Sequence, residues 1–263
     1  MKLSLQVQKL THLTGTFTVI VFCLGSVVLI QHNRLQLKHS PLTKVEYVRQ
    51  EQTEKIGLDV LKNLPSFGFS NLLGDWIYLR FIQYFGDSEV REKIGYSLSP
   101  EYFEGVVDRN PRLVEAYRFL TPATSIFAGQ PQKSVALLGK ALQSISPEMS
   151  YMSYYIWVYK GVDEMLFLGD TKAAQESYQT AAEWAEKINT PDAQRIAAST
   201  RQTAAFLAKN PKSKISRIGA WALVLSSTPH EKTQQQAISQ IKALGGKIVT
   251  RADGGFKVIA PKE

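Results

Sequence analysis

The sequence predicts a mainly α-helical protein: an α-solenoid entered through an N-terminal transmembrane helix and closed by a small helix-plus-β-hairpin unit. Three observations lead there. Asn71 to Phe85 has no proline and one interior glycine, and its apolar side chains cover nearly every side of a helical wheel. Between Leu113 and Ile188 a helix–turn–helix pattern occurs twice, with Gly129 and Gly169 forty residues apart. Repetition on that scale marks a solenoid. Finally, Lys247–Arg251 and Phe256–Ala260 alternate polar and apolar residues around a glycine-rich turn. These signals divide the chain into an anchor (1–31), a linker (32–44), a helical domain (45–228) and a basic C-terminal α-ββ unit (229–263).

The anchor rests on Leu13 to Ile30, 18 residues without a charge. At ~1.5 Å per residue they span ~27 Å, close to a hydrocarbon core of ~30 Å. Lys2 and Lys9 precede the run, as in a signal sequence. No small-x-small cleavage site follows it, and Phe22 before Cys23 does not suit a lipoprotein signal. An uncleaved signal anchor is therefore favoured over a cleaved presequence. Arg34, Lys38, Lys44 and Arg49 beyond the run nearly balance Lys2, Lys9 and the amino terminus, so charge does not fix the orientation.

The 13 residues Gln31–Thr43 are polar and basic and form a linker. Val45 to Asn63 is a modest helix that Pro65, Gly68 and Ser70 end. Asn71–Phe85 follows as a helix buried on nearly all sides, with Asp75 and Arg80 as its only charges. Pro100–Asp108 is a short helix opened by proline. Next come Leu113–Phe127, kinked at Pro122, then Gln132–Ser144, Tyr151–Leu168 and Lys172–Ile188. In both pairs the turn glycine is followed at +5, +9 and +12 by small, large and small residues: Ser134, Leu138 and Ala141, then Ala174, Tyr178 and Ala181. That spacing lets the second helix lie close against the first. GDTKAAQESYQTAAEWA (Gly169 to Ala185) resembles the tetratricopeptide (TPR) repeat, although the 40-residue period exceeds the TPR period of about 34. Asp192–Ala208, Ile215–Ser226 and Glu231–Leu244 complete the helices, the last stopped by Gly245-Gly246. An isolated hairpin is marginal in water, so the terminal one is expected to lean on Glu231–Leu244.

Composition excludes several chemistries. The one cysteine, Cys23, allows no internal disulfide and no Cys-based zinc site, and the four histidines do not cluster. No nucleophile elbow, phosphate loop or dinucleotide fingerprint is present. No catalytic residue, cofactor site or metal site is therefore assigned. The net charge of +8 belongs to the end of the chain, where residues 201–263 hold 11 Lys/Arg against three acids. Such a tail suits an acidic protein or anionic headgroups. It lacks the aromatic platforms of a nucleic-acid binder, which makes that partner the weakest reading.

Two groups of residues stand out. Asp75 and Arg80 are charges inside the most apolar helix and are expected to be buried and paired, with Asp108, Glu115 and Arg118 as candidate partners. Tyr151, Tyr154, Tyr155, Trp157 and Tyr159 crowd one helix. They divide between core packing and a groove in which aromatic residues anchor a protein partner.

The segments PSFGFSNLLGDWIYLRFIQYFGD (Pro65–Asp87) and ISRIGAWALVLSS (Ile215–Ser227), with the ALGGKIV and GGFKVI end, resemble a group of cyanobacterial membrane-anchored TPR-like proteins. That resemblance implies a thylakoid or plasma-membrane location, implies no established reaction and supplies no catalytic residues. The expectation is a membrane-anchored protein-interaction scaffold, not an enzyme, that assists assembly or maintenance of a membrane complex such as a photosystem. The alternatives are an enzyme or small-ligand carrier built around Asp75 and Arg80, and a basic nucleic-acid binder.

Overall fold

The computed structural model describes residues 17–31, 43–209, 214–227, 230–250 and 256–261. It is mainly helical with one two-stranded sheet. The chain forms two compact units, Met1–Glu46 and Tyr47–Glu263.

In the first unit, residues 17–31 form helix α1, whose large apolar side chains from Phe17 to Ile30 are exposed. Among the described residues, no helix is long and apolar enough to cross a membrane. Leu13 to Thr16, the start of the apolar run, lie outside the described residues, as do linker residues 32–42. Helix α2 (Lys44–Asn63) starts at Thr43, which forms a reciprocal cap with Glu46. The Thr43 N–H donates to Glu46 Oε2 at 2.7 Å and the Glu46 N–H to Thr43 Oγ1 at 3.3 Å.

The second unit continues α2 from Tyr47 and adds α3 (Ser70–Gly86), α4 (Ser88–Ile94) and α5 (Ser99–Arg109). Asp87 caps α4 by accepting from the Val90 N–H at 3.4 Å. Helices α3 and α5 approach closely where α3 has glycine. A Cβ on Gly74 would stand 2.5 Å from Asn110 Cβ, so no larger residue fits without displacement. Ile77, Phe81, Tyr102, Phe103, Tyr117, Leu120 and Leu138 build the main core on this contact.

The expected burial of α3 on nearly every side is not observed. Gly74, Ile77, Phe81 and Tyr84 are buried, whereas Leu72, Trp76 and Leu79 are more than half exposed. The helix lies at the margin of the core, covered by α5 on one side. Apolar character all round a wheel cannot state how many sides find partners.

The repeated units fold in parallel fashion. In the first, a 3-10 turn (Val114–Ala116), α6 (Tyr117–Thr121) and a π-helical turn (Pro122–Phe127) lead into α7 (Pro131–Leu142). In the second, α8 (Ser153–Val162) and a π-helical turn (Asp163–Leu168) lead into α9 (Thr171–Glu186). Pro122, expected as a kink, opens the first wide turn, where its missing N–H cannot continue the ladder. The second wide turn has no proline. Both end in a left-handed glycine, Gly129 at φ 67° and Gly169 at φ 69°. Both are closed by the same long hydrogen bond, from the Gln130 N–H to Thr124 O at 2.8 Å and from the Asp170 N–H to Glu164 O at 2.9 Å. Ser134, Leu138, Ala141, Ala174, Tyr178 and Ala181 are buried, and the Tyr178 ring lies against Gly161. The small–large–small spacing thus brings each second helix against its first.

Helix α10 (Pro191–Lys209) packs along α9. Helices α11 (Lys214–Ser227) and α12 (Glu231–Ala243) pack on one another, and each covers one of the left-handed glycines. Arg217 of α11 lies on Gly169 and Thr233 of α12 on Gly129, where a Cβ would collide with either. Strands β1 (Lys247–Thr250) and β2 (Phe256–Ile259) pair antiparallel, with Ile248 opposite Val258. Ile248 and Val258 pack into a second core with Trp221, Val224, Ile241 and Phe167. The hairpin leans on α12, as expected, and also on α11. Phe167 and Ile126 from the repeats enter this core, so residues 229–263 do not form a unit of their own. The hairpin turn, 251–255, lies outside the described residues.

Candidate functional site

A concentration of polar groups joins α2 to α3, α4 and α5. Tyr47, Glu51 and Glu54, spaced four and three residues apart, share one face of α2. Glu51 Oε1 accepts from Arg91 Nη1 at 2.9 Å and from the Tyr84 hydroxyl at 3.1 Å. Glu54 Oε1 accepts from Arg80 Nη2 at 2.6 Å and from the Tyr102 hydroxyl. Tyr47 donates to Glu89 at 2.9 Å. Arg91 is 4% exposed, and its guanidinium stacks 3.9 Å over the Tyr84 ring and also donates to Gly95 O at 2.7 Å. Tyr84 in turn accepts from the Leu98 N–H at 3.0 Å.

Tyr47, Glu51, Glu54, Arg80, Tyr84 and Arg91 line a cleft of about 220 Å³, with Gln50, Gln83, Asp87 and Val90 completing its wall. Small-molecule pockets run from ~300 to ~1,000 Å³, so the cleft is small for a substrate. Burial pushes the Tyr84 and Tyr102 phenols far above their ordinary range, and the adjacent carboxylates add to that. Both tyrosines therefore stay protonated as donors. Burial also opposes ionisation of Glu54, but the Tyr102 and Arg80 hydrogen bonds outweigh it and hold this carboxyl below its usual range. Glu51 and Glu54 are thus each already matched by an arginine and a tyrosine. The arrangement ties α2, α3, α4 and α5 to one another.

A second cluster lies at the repeat junction. Asp163, fully buried at the start of the second wide turn, accepts at Oδ2 from Ser125 at 2.8 Å and from Thr121 at 3.1 Å. The Ser134 hydroxyl stands 3.4 Å from Thr121 Oγ1. Burial raises the Asp163 carboxyl to about 7, and the surrounding hydroxyls only partly offset it. The next residue, Glu164, is paired with Lys160 and accepts from Ser177 at 2.6 Å. Among the described residues, no group of three or more His, Cys, Asp or Glu is set to hold a metal.

The residues singled out in the sequence divide differently from expectation. Arg80 does form an ion pair, but with Glu54, and both side chains keep about a third of their exposure. Asp75 is half-buried and accepts from Asn110 Nδ2 at 2.8 Å, with no ion pair among the described residues. Neither meets Asp108, Glu115 or Arg118, and Asp108 is paired with Lys140. The deeper charge in this region is Arg91, which sits outside the apolar helix. Of the aromatic group, Tyr154 is buried, and Tyr155, Trp157 and Tyr159 are partly covered. Tyr154, Tyr155 and Tyr159 form a continuous ring stack, and Trp157 meets Trp184 edge-on at 5.9 Å. Tyr151 precedes α8 and is 69% exposed.

The sequence reading missed Glu51, Glu54, Arg91, Asp163 and Glu164. Asp163-Glu164 sits inside the apolar run WVYKGVDEMLFL, so the rule that flagged Asp75 would have flagged it. Comparison with known proteins finds no matching family model, no matching curated protein and no matching solved structure.

Proposed function

We propose that this chain is a membrane-anchored protein-interaction scaffold. The observation that carries the reading is the repeated helix–wide turn–helix unit, in which Gly129 and Gly169 adopt the same left-handed turn forty residues apart. Stacked helix pairs of this kind make a TPR-like solenoid, whose extended surfaces suit protein ligands. The charge-free run Leu13–Ile30 supplies a single-pass anchor. The resemblance to cyanobacterial membrane-anchored TPR-like proteins puts the work at the thylakoid or plasma membrane, assisting assembly or maintenance of a complex such as a photosystem. Tyr151, exposed at the entrance to α8, is the partner-binding residue of the aromatic group.

An enzyme or small-ligand carrier is the second reading, favoured only by the cleft around Arg80, whose acids are already matched by arginines and tyrosines. A nucleic-acid partner rests on the basic tail alone. Crosslinking of the full chain in mildly solubilised cyanobacterial membranes tests the proposal. A stoichiometric membrane complex with crosslinks to residues 113–188 is the expected result. A clean monomer without a reproducible partner would overturn it.

A further inference from the structure

Between α2 and α3 the chain makes a tight turn with an unusual centre. The Phe69 N–H donates to Ser66 O at 2.7 Å, and the two central residues, Phe67 at φ 46° and Gly68 at φ 92°, are both left-handed. That is a type I′ turn, which normally takes Asn, Asp or Gly at both centres. Phe67 is the one non-glycine residue with positive φ among the described residues. Its ring gains nothing from the fold, because it is 88% exposed. Backbone strain that projects a large apolar ring into solvent has no use inside the molecule.

The apolar surface continues from the tip. Phe69, Leu72, Trp76 and Leu79 follow at helical spacing within about 80° of the α3 wheel, and are 66%, 65%, 52% and 56% exposed. Arg109 stands near its start. The Arg109 guanidinium lies on the carbonyls of Lys62 at 2.5 Å and Leu64 at 2.7 Å, three residues before Phe67, and Arg112 is exposed just beyond α5. The acids of that helix are already matched, Glu101 by Lys133, Glu104 by Lys62 and Lys133 and Asp108 by Lys140, and Asp75 of α3 accepts from Asn110.

We infer that the Phe67–Leu79 tip inserts into the interfacial region of an anionic lipid bilayer. A projecting aromatic turn fits a deformable medium, whereas a protein partner would need a complementary groove. Aromatic rings prefer the headgroup level, and arginines beside them meet anionic headgroups. This inference rests on the membrane-anchored reading. A tethered chain meets the bilayer at high effective concentration, so a short apolar tip suffices as a second contact.

The test uses the full chain with Cys23→Ser and a single new cysteine, Phe67→Cys, Leu72→Cys or, as control, the exposed Asp192→Cys. Each carries an environment-sensitive NBD label and is reconstituted with mixed phosphatidylglycerol–phosphatidylcholine vesicles. The expected result is flotation of all three, with blue-shifted emission and severalfold stronger quenching by lipid-borne spin labels at 67 and 72 than at 192. Replacing Phe67 and Phe69 by serine should remove the quenching at 72. Flotation with probes at 67 and 72 as water-exposed as at 192 overturns the lipid contact and leaves the anchor standing. Failure to float overturns the anchor and, with it, the lipid contact. Probes shielded from both water and lipid quenchers, with crosslinks between copies, assign the tip to a second copy of the chain and also overturn the inference.

Discussion

The junction around Glu51 and Glu54 and the cluster around Asp163 are both polar groups placed between helices, yet they compensate charge in opposite ways. At the junction Glu51 and Glu54 each meet a guanidinium and a phenol. Asp163 meets neutral hydroxyls, and the charge nearest to it in sequence is another acid, Glu164. A hydroxyl donates one proton and carries no countercharge, so burial wins and the carboxyl holds its proton. At Glu54 the hydrogen bonds from Tyr102 and Arg80 outweigh burial, and the carboxyl lies below its ordinary range. Partner chemistry and depth together separate the two carboxyls, since Asp163 is fully buried and Glu54 keeps about a third of its exposure.

The sharpest way to break the contrast is Arg91→Ala. It strands Glu51 and removes the stack on Tyr84, and loss of one member of a mostly buried pair costs about 3–5 kcal/mol. Urea midpoints should fall accordingly, and Glu51→Ala in the same background should cost far less than it does alone.

Asp163→Asn sharpens the comparison through pH. The folded carboxyl titrates at about 7 against 3.8 when unfolded, so between those values the folded state holds the extra proton. Its contribution is therefore greatest below pH 3.8, declines as pH rises towards 7 and is flat beyond. The asparagine variant lacks this titration. It should be more stable than the parent at pH 8, by on the order of 2 kcal/mol, and lose that advantage at pH 4. Thermal unfolding at both pH values measures it, and an equal difference at both would contradict the assignment.

Glu54→Gln should show the opposite sign at smaller size. The folded Glu54 carboxyl lies below the unfolded 4.5, so its stabilisation is present above that pH and is lost on acidification through the folded value. Because Arg80 and Glu54 keep about a third of their exposure, solvent screening limits the loss in the variant at pH 7 to about 0.5–1 kcal/mol. High salt should shrink it further. Smallest of all, Tyr151→Ala should leave the melting temperature almost unchanged, within about 0.5 kcal/mol, while weakening capture of a protein partner. A stability loss with unchanged capture would place Tyr151 with the packed tyrosines.

Most of the helices were legible because their signals are local. Proline and glycine mark the ends, and the small–large–small spacing recurs in both repeats, whereas α4 lies in a charged stretch without an apolar period of its own. The wide turns were not, because a helix and a π-helical turn share almost the same apolar pattern. Only the hydrogen bonds of Thr124 and Glu164 distinguish them. The site was the least legible part. Arg80 could be flagged as a charge needing a partner, but Glu54 lies 26 residues away on another helix.

By itself, then, the sequence determined the mainly helical class, the forty-residue repeat and the terminal hairpin, since each follows from backbone preferences and periodicity along one stretch of chain. The tertiary structure decided which faces are covered. Leu72 and Ile77 look alike on a helical wheel, yet one faces solvent and the other lies against Gly105. It also decided which charges are matched, Arg91 to Glu51 and Asp163 to hydroxyls. Burial and pairing depend on contacts between distant segments, and no local pattern encodes which segments meet.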